Sequence, residues 1–204
     1  MNFNQKAAIW DSIDRIQRAK KIADEISNTI PLKNNYLAME FGCGTGLISF
    51  NLMKQLMHIT LTDTSEGMID VLHQKIRANH ATNMDAVLGD IIAHPELIPQ
   101  KHDLIYTSMV LHHIIDTKST LQTLHSMMND GGYICIVDLV EEDGSFHKSE
   151  SDFNGHNGFN QIELGQQLAD VGFHDVSSHV FYYDIKRMEH GDVDYSLFIM
   201  VGKK

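Results

Sequence analysis

The sequence has few of the residues that build linkers, disulfide frameworks or membrane spans. Only 3 prolines and 2 cysteines occur among 204 residues, and no run of glycine and serine divides the chain, so residues 1–204 are predicted to form one domain. No apolar run reaches the roughly 18 residues that cross a bilayer, and the N-terminus lacks the charged-then-apolar order of a signal peptide. Cys43 and Cys135 lie far apart in apolar stretches, which suits reduced thiols better than a disulfide. We therefore expect a cytoplasmic protein without a membrane partner.

Basic residues are scarce as well. The chain holds 16 Lys and Arg against 27 Asp and Glu, which gives a formal net charge of -11 at pH 7. Such a surface repels phosphate backbones, so nucleic acid is not expected as a substrate. The densest basic group, made of Arg18, Lys20 and Lys21, follows a helical pattern and is expected to form a solvated face.

Apolar residues recur along the chain with two periods, one typical of helices and one of strands. Helical patterns cover residues 5–30, where one helix or two in series fit, then 47–57, 65–79, 117–128 and a segment from Asn160 to Gly172. Strand patterns cover 36–41, 58–62, 86–88, 103–109, 133–140, 176–185 and 195–201, with turns at 129–132 and 190–192. This alternation predicts an α/β fold with a doubly wound, Rossmann-like sheet of seven strands, mostly parallel with an antiparallel C-terminal strand.

A glycine loop follows the first strand pattern. The sequence there reads Glu40-Phe41-Gly42-Cys43-Gly44-Thr45-Gly46, and such a loop lets backbone N–H groups and a helix N-terminus approach a ligand. In the dinucleotide fingerprint G-x-G-x-x-G, counted from Gly42, the third glycine would stand at position 47, where this chain has Leu47. An NAD(P)-dependent oxidoreductase is therefore disfavoured. Asp63 ends the next strand about 20 residues further on, where a carboxylate can accept hydrogen bonds from ribose hydroxyls and would repel a 2'-phosphate.

Together with two later motifs, this loop resembles a known family. Gly89-Asp90 follow the third strand and residues 129–132 read Asn-Asp-Gly-Gly. In this order, from about residue 40 to 140, the motifs are similar to those of class I S-adenosylmethionine-dependent methyltransferases. The resemblance implies methyl transfer, with S-adenosylmethionine as cofactor and S-adenosylhomocysteine as product. The cofactor-binding residues that it implies are Trp10, Glu40, Gly42, Gly44, Asp63, Thr64, Met68, Gly89, Asp90, Ile91, Ser108 and Met109.

The resemblance also implies separate roles along the cofactor. Glu40 would lie near the amino group of the methionine part, and Asp63 would hold the ribose. Asp90 would accept a hydrogen bond from the adenine N6 amine, beside the backbone of Ile91. Asp63 and Asp90 have an alternative interpretation as helix or turn caps.

Two further segments are expected to cover the site. Residues 1–30 would form an N-terminal helical lid that carries Trp10, although a lone aromatic on an apolar helical face is more often a packing residue. Residues 141–158 form a long, polar and irregular segment, and segments of this length inside a compact domain are usually functional or disordered. We expect this segment to cap the acceptor pocket.

His112, His113 and Asp138 are the candidate catalytic residues. Their placement is similar to that of a His and an Asp that face the acceptor in small-molecule O- and C-methyltransferases. A histidine is suited to general base work near neutral pH, and Asp138 could orient it. In a chain with 13 histidines, the equally weighted alternative is one core histidine beside one surface histidine.

A metal site is a less favoured alternative. His147, Asp152 and His156 could join His112 and His113, because imidazole and carboxylate suit zinc or iron. No close spacing such as H-x-x-x-H occurs among them, so no metal is expected.

These features predict methyl transfer to the oxygen, carbon or nitrogen of a small-molecule acceptor. The acidic surface and the lack of a separate recognition domain favour a small molecule, and the protein would act as a monomer or homodimer. The alternative function is a non-catalytic sensor or partner module that binds S-adenosylmethionine without transferring the methyl group.

Overall fold

The seven predicted strands form one sheet. The computed structural model describes residues 3–150, 152–188 and 191–204. The strands are β1 (Leu37–Phe41), β2 (His58–Asp63), β3 (Met84–Leu88), β4 (His102–Ser108), β5 (Met128–Leu139), β6 (His174–Lys186) and β7 (Val193–Lys203). Their order is β3-β2-β1-β4-β5-β7-β6, with parallel pairing from β3 to β5 and antiparallel pairing on both sides of β7. The predicted Rossmann-like α/β fold is confirmed.

Six α-helices accompany the sheet in the described ranges. They are α1 (Phe3–Lys6), α2 (Ile13–Thr29), α3 (Ser49–Leu52), α4 (Glu66–Ala78), α5 (Thr117–Ser126) and α6 (Gln161–Val171). The four longest begin at a side chain that accepts a backbone N–H of the first turn, namely Ser12, Ser65, Asp116 and Asn160. The last helix ends at Gly172, whose φ of 116° is left-handed. None of these helices is both long and apolar enough to cross a bilayer.

Two apolar cores lie on the two faces of the sheet. Ile26 of α2 and Leu72 of α4 are buried on one face, and Leu121 of α5 is buried on the other. Successive residues of β4 alternate between the two cores, with Leu104 in the first and Ile105 in the second, as the two-residue period of a strand requires. The helices therefore cover both faces, while the carboxyl ends of the parallel strands stay free to form a site.

The helix predicted over 47–57 is shorter than expected. Its α-helical part is α3, which is followed by a 3-10 turn at Met53–Gln55. The Asn83 side-chain amide donates hydrogen bonds to the carbonyls of Met53 (2.8 Å) and Leu56 (3.2 Å). These carbonyls are thus satisfied without a longer helix.

The turn predicted at 129–132 is wrong, because these residues belong to the first part of β5. The Gly131 N–H donates to the carbonyl of Lys204 (2.8 Å), and the Lys204 N–H donates to the carbonyl of Gly132 (3.0 Å). Pairing with a distant part of the chain thus draws the segment into the sheet. The turn predicted at 190–192 includes His190, which lies outside the described residues.

Candidate active site

A cavity of about 470 Å³ opens beside the carboxyl ends of β1, β2 and β4. The strand order reverses between β1 and β4, which is where sheets of this kind bind ligands, and the volume lies in the usual range for small-molecule sites. Most predicted site residues line it: Trp10, Glu40, Gly42, Gly44, Asp63, Thr64, Met68, Gly89, Asp90, Ser108, Met109 and His113. Three predicted residues do not, namely Ile91, His112 and Asp138.

The glycine loop needs glycine for two reasons. Gly42 and Gly44 have φ angles of 71° and 53°, in the left-handed region that side chains disfavour. A Cβ atom on Gly42 would also lie 2.4 Å from Cγ2 of Val110. The loop is therefore open toward the cavity, with no side chain of its own between the backbone and a ligand at these two positions.

Asp63 braces this loop and faces the cavity at the same time. Its Oδ2 accepts a hydrogen bond from the Gly44 N–H (2.7 Å), and its Oδ1 accepts one from the Ser65 N–H (2.8 Å). Burial raises the pKa of this carboxyl. Each carboxylate oxygen can accept a second hydrogen bond, so the cap interpretation and the ribose interpretation are compatible at this residue.

Glu40 is a buried carboxyl group at the end of β1, and only 3% of its surface is exposed. The Ser49 hydroxyl donates a hydrogen bond to it, and the oxygens of Ser49 and Tyr106 lie 2.5 Å apart. Burial raises the pKa of Glu40 to about 8, against the opposing effect of the Ser49 hydrogen bond. The group therefore holds its proton at neutral pH unless a cation enters the cavity.

Asp90 forms the rim of the cavity at the end of β3. Its Oδ1 accepts hydrogen bonds from the backbone N–H groups of Ile92 (3.0 Å) and Ala93 (3.2 Å). The adjacent Ile91 side chain is fully buried in the core below α5, so its side chain has no contact with the cavity and Ile92 takes the lining position instead.

Trp10 lies between two helices rather than inside one, which corrects the expected position. The Ser12 side chain caps α2 by accepting the Arg15 N–H (3.4 Å), so the helix begins after Trp10. Trp10 nevertheless lines the cavity, with its Nε1 3.6 Å from the position that a Cβ on Gly44 would take.

Polar contacts at two points hold the N-terminal segment over the cavity. The Asp11 carboxylate accepts hydrogen bonds from the Thr45 hydroxyl (2.5 Å) and the Lys75 ammonium (2.7 Å). The Asn4 side-chain oxygen accepts hydrogen bonds from the Ser65 hydroxyl (2.7 Å) and the Gly67 N–H (3.0 Å). Through these contacts the segment that carries Trp10 is fastened to the glycine loop and to the start of α4.

We expect the Asp11→Ala variant to release S-adenosylhomocysteine, the product that the sequence resemblance implies, roughly 5- to 10-fold faster than the wild type, because about 1–1.5 kcal/mol of polar contacts is lost. Trp10 is the single tryptophan of the chain, so stopped-flow fluorescence can follow release directly. The matched control is Asp24→Ala, which removes an exposed aspartate of α2. Equal release rates for the Asp11 and Asp24 variants would contradict a fastening role.

The predicted catalytic pair, His112 and Asp138, is buried. Only 1% of His112 and none of Asp138 is exposed, and His112 Nδ1 lies 2.5 Å from Asp138 Oδ1. The His112 backbone N–H also donates to Asp138 Oδ2 (3.2 Å). In this arrangement neither side chain reaches the cavity, so the expectation that both face the acceptor is wrong; the tight 3-10 turn at Leu111–His113 directs the two histidines differently.

His113 is the candidate catalytic residue that lines the cavity. Burial, with a smaller effect of His112, lowers the pKa of its imidazole to about 4. At neutral pH this ring is uncharged, so it can accept a hydrogen bond or bind a cation through one nitrogen.

Two arginines of α2 were missed as site residues. Arg15 and Arg18 both line the cavity. The Arg15 guanidinium lies 4.1 Å from the centre of the Trp10 ring, and Arg18 donates to the Tyr195 hydroxyl (3.2 Å). The expectation that Arg18 belongs to a solvated face is therefore wrong. Its spacing of three residues from Arg15, on the helix face that carries the apolar residues, was the available signal.

The segment 141–158 lies beside the cavity rather than over it. No described residue of this segment lines the cavity. Instead, the His156 N–H donates to the His112 carbonyl (2.7 Å), and a Cβ on Gly155 would lie only 2.1 Å from that carbonyl oxygen. The segment is thus packed against the backbone of His112.

The fold and the cavity together define a class of protein. A glycine loop, a strand-end carboxylate and the N-terminal segment with Trp10 line one cavity of a sheet with β7 inserted antiparallel, which is the arrangement of a class I S-adenosylmethionine-dependent methyltransferase. Solved structures agree in fold. A Haloferax volcanii methyltransferase in complex with the Trm112 methyltransferase activator matches with a TM-score of 0.73 at 15% identity, covering 98% of this chain and 96% of that one. Phosphoethanolamine N-methyltransferase 2 of Haemonchus contortus, in complex with S-adenosyl-L-methionine, matches with a TM-score of 0.71 at 12% identity, covering 91% of this chain and 52% of that one.

The sequence identifies the family. Residues 32–184 match the family model described as a methyltransferase domain, and the chain belongs to this family of S-adenosylmethionine-dependent methyltransferases. A relative named malonyl-[acyl-carrier protein] O-methyltransferase 1, from Ilyobacter polytropus, is 28% identical over 139 residues, covering 66% of this chain and 49% of the relative. A methyltransferase of Schizosaccharomyces pombe is 29% identical over 121 residues, covering 56% and 43%. The chain spans about half the length of these two curated relatives.

Proposed function

We propose that this protein transfers a methyl group from S-adenosylmethionine to a small acidic acceptor. The observation that carries the proposal is one cavity lined both by the glycine loop with Asp63 and by two arginines of α2. The glycine loop and Asp63 suit the nucleoside and amino acid parts of the cofactor. The two arginines suit a negatively charged acceptor.

The residues present fit the cofactor. Glu40 is a buried carboxyl whose pKa is raised to about 8, and the amino group of the methionine part would supply the missing positive charge. Asp63 offers acceptor positions for ribose hydroxyls, and Gly42 and Gly44, which are left-handed, place no side chain on the loop that lines the cavity. These three features support the roles that the family resemblance implies.

S-adenosylmethionine, when bound, supplies a methyl group on a positively charged sulfur, and transfer is an in-line displacement that depends on holding both partners in place. Within the chain, Glu40 would hold the amino group of the donor and Asp63 its ribose. Trp10 and the N-terminal segment exclude water from above. His113 lines the same cavity with an imidazole that is uncharged at neutral pH.

Charge supports an acidic acceptor. In a chain with a formal net charge of -11, Arg15 and Arg18 place two guanidinium groups at one cavity, and guanidinium binds carboxylate and phosphate groups through paired hydrogen bonds. Malonyl-[acyl-carrier protein] is the acceptor named for three similar proteins, and a malonyl group carries a carboxylate. The same acidic surface elsewhere argues against nucleic acid as the acceptor.

A transfer assay tests the proposal. Purified protein is first checked for binding of S-adenosylhomocysteine by calorimetry. Methyl transfer is then measured on matched carboxylic acids, phosphate esters, phenols and amines. Transfer to anionic acceptors is the expected result, and absence of cofactor binding would overturn the proposal. Cofactor binding without transfer to any acceptor would favour the alternative of a sensor or partner module.

We expect Arg18→Ala to raise KM for an anionic acceptor by about 10- to 30-fold, because a charge-assisted hydrogen bond contributes roughly 1.5–2 kcal/mol. The affinity for S-adenosylhomocysteine and the KM for a neutral acceptor should change little. Lys20→Ala, which removes an exposed cation of the same helix, is the matched control. An equal rise of KM for neutral and anionic acceptors would argue against charge recognition by Arg18.

The remaining expectations stay proposals. Both cysteines are buried and free, as in a protein of a reducing compartment such as the cytoplasm. A monomer or homodimer is still the expected state. The single-domain organisation of residues 1–204, with the lid at 1–30, is likewise a proposal.

A further inference from the structure

Three histidines from two distant parts of the sequence meet next to the cavity. One side-chain nitrogen from each of His112, His113 and His147 lies within 4.8 Å of the other two. The ring centres of His112 and His113 are 4.2 Å apart, and those of His112 and His147 are 5.0 Å apart. Nitrogens bound to one zinc ion at about 2.0–2.1 Å lie roughly 3.4 Å from one another, so the three side chains need to close by at most about 1.4 Å from their separation of 4.8 Å or less.

Asp138 sets the orientation of one ring. His112 Nδ1 lies 2.5 Å from Asp138 Oδ1, so Nδ1 is the nitrogen that can donate to the carboxylate and Nε2 is the one that can offer a lone pair to a metal ion. A carboxylate that holds the far nitrogen of a histidine is the usual support of a metal-binding histidine. His112 and Asp138, which do not reach the cavity, thereby acquire a role.

His147 carries a buried nitrogen that is not satisfied. Its Nδ1 is buried and has no hydrogen-bond partner among the described residues. Only 5% of the residue surface is exposed. The ring stacks in parallel on Phe153 at 3.7 Å, with an interplanar angle of 5°. A buried polar atom without a partner is costly, so a ligand for this ring would relieve the cost.

The surrounding charges permit a cation. The positive charge of Lys186 acts on His147, but its ammonium lies 3.6 Å from Glu150 Oε1 and donates to the Phe146 carbonyl (2.5 Å). Asp138 and Glu150 add two negative charges to the same region. The charge around these histidines therefore differs from that of an ordinary aromatic core, in which carboxylates are absent.

We propose that His112, His113 and His147 bind one divalent transition metal ion of the zinc class, supported by Asp138. Three neutral imidazoles suit zinc, copper, iron or nickel, and three protein ligands leave a further position for water or another oxygen ligand. Through His113 the ion adjoins the cavity. Use of that position by an oxygen of the acceptor rests on the proposed function, whereas binding of the ion does not.

Metal titration of tag-free protein tests the site. Protein treated with a chelator is titrated with Co²⁺, whose visible absorption reports histidine coordination, and then with Zn²⁺, with bound metal measured by mass spectrometry. We expect one ion per chain. His147→Phe keeps a ring to stack on Phe153 and should weaken binding by more than about 10-fold, and Asp138→Asn should weaken it by about 10- to 100-fold.

A matched control comes from another buried histidine. His102 is fully buried and its Nδ1 also has no hydrogen-bond partner in the described structure, but it is not part of the cluster. His102→Asn should bind the metal as the wild type does. Circular dichroism of each metal-free variant confirms that it is folded.

Binding of S-adenosylhomocysteine is measured on the same samples to separate the two proposals. Cofactor binding with no stoichiometric cobalt or zinc in the folded wild type would overturn the metal site alone. Metal binding that His147→Phe leaves unchanged would overturn it as well. Metal binding without cofactor binding would contradict the proposed function and leave the metal site supported.

Discussion

Replacing Asp63 by alanine should weaken binding of S-adenosylmethionine and S-adenosylhomocysteine by on the order of 100-fold or more. Two ribose hydroxyls that donate to a carboxylate contribute about 1.5–3 kcal/mol each, and each 1.4 kcal/mol corresponds to about tenfold in affinity. The variant also loses the brace on the Gly44 N–H, which lets the glycine loop move away from its ligand-facing position. Calorimetric titration with S-adenosylhomocysteine measures the effect.

Two controls separate binding from folding in this experiment. Asp63→Asn keeps one oxygen for the Gly44 N–H, so it should fold as the wild type does and bind the cofactor with intermediate affinity. Asp85→Ala removes the exposed partner of His58 on the adjacent strand and should leave affinity unchanged. An Asp63→Ala protein that is folded and binds within about threefold of the wild type would remove the basis of the proposed function.

The second large effect concerns Glu40→Gln, which should stabilise the free protein and weaken cofactor binding. Glu40 is buried, and burial raises its pKa from 4.5 to about 8. Two charged neighbours also act on the pKa of Glu40: Asp63 raises it further and Lys75 lowers it. The unfolded chain ionises at the ordinary value, so the folded state binds one proton more than the unfolded state between the two values.

The sign of the pH effect follows from that extra proton. Below the unfolded pKa, the contribution of Glu40 to the stability of the wild type is fully present. This contribution is lost as the pH rises through the interval from 4.5 to about 8. At higher pH it does not change further. Glutamine does not titrate, so the Glu40→Gln variant should be nearly equal to the wild type near pH 4.5 and more stable by on the order of 4 kcal/mol at about pH 8.

Urea unfolding of both proteins at about pH 5 and about pH 8 measures the difference. The titration of all other groups cancels in the comparison, and Glu66→Gln, at an exposed position of α4, is the control. The affinity for S-adenosylhomocysteine should fall by about 10- to 100-fold in Glu40→Gln, because the charged partner of the amino group is gone. A stability difference independent of pH would show that Glu40 ionises normally in the fold.

The sequence predicted the strand ends well because their signals are local. Glu40, Asp63 and Asp90 each follow a short apolar run, and parallel strands bring such ends together at one edge of the sheet. The same logic placed Asp138 at a strand end correctly but could not show on which side of the sheet it lies. Its burial with His112 depends on the segment packed over both.

Features that depend on distant contacts were not accessible from local patterns. His147 follows His112 by more than thirty residues, and only the close approach of Gly155 to the His112 carbonyl folds its segment back. Likewise, the Asn-Asp-Gly-Gly motif has the composition of a turn, but Lys204 pairs with its backbone and makes it strand. Composition could not reveal either partner.

The double contact of Asp63 limits what this residue can indicate when similar chains are compared. The carboxylate fastens the backbone of the glycine loop to the next strand. A descendant that no longer catalyses methyl transfer would therefore still lose loop rigidity if Asp63 were replaced. An acidic residue here is thus a mark of the shared scaffold. Retention of Arg18 and His113, which the scaffold does not require in this way, is the better sign that a descendant still modifies an acceptor.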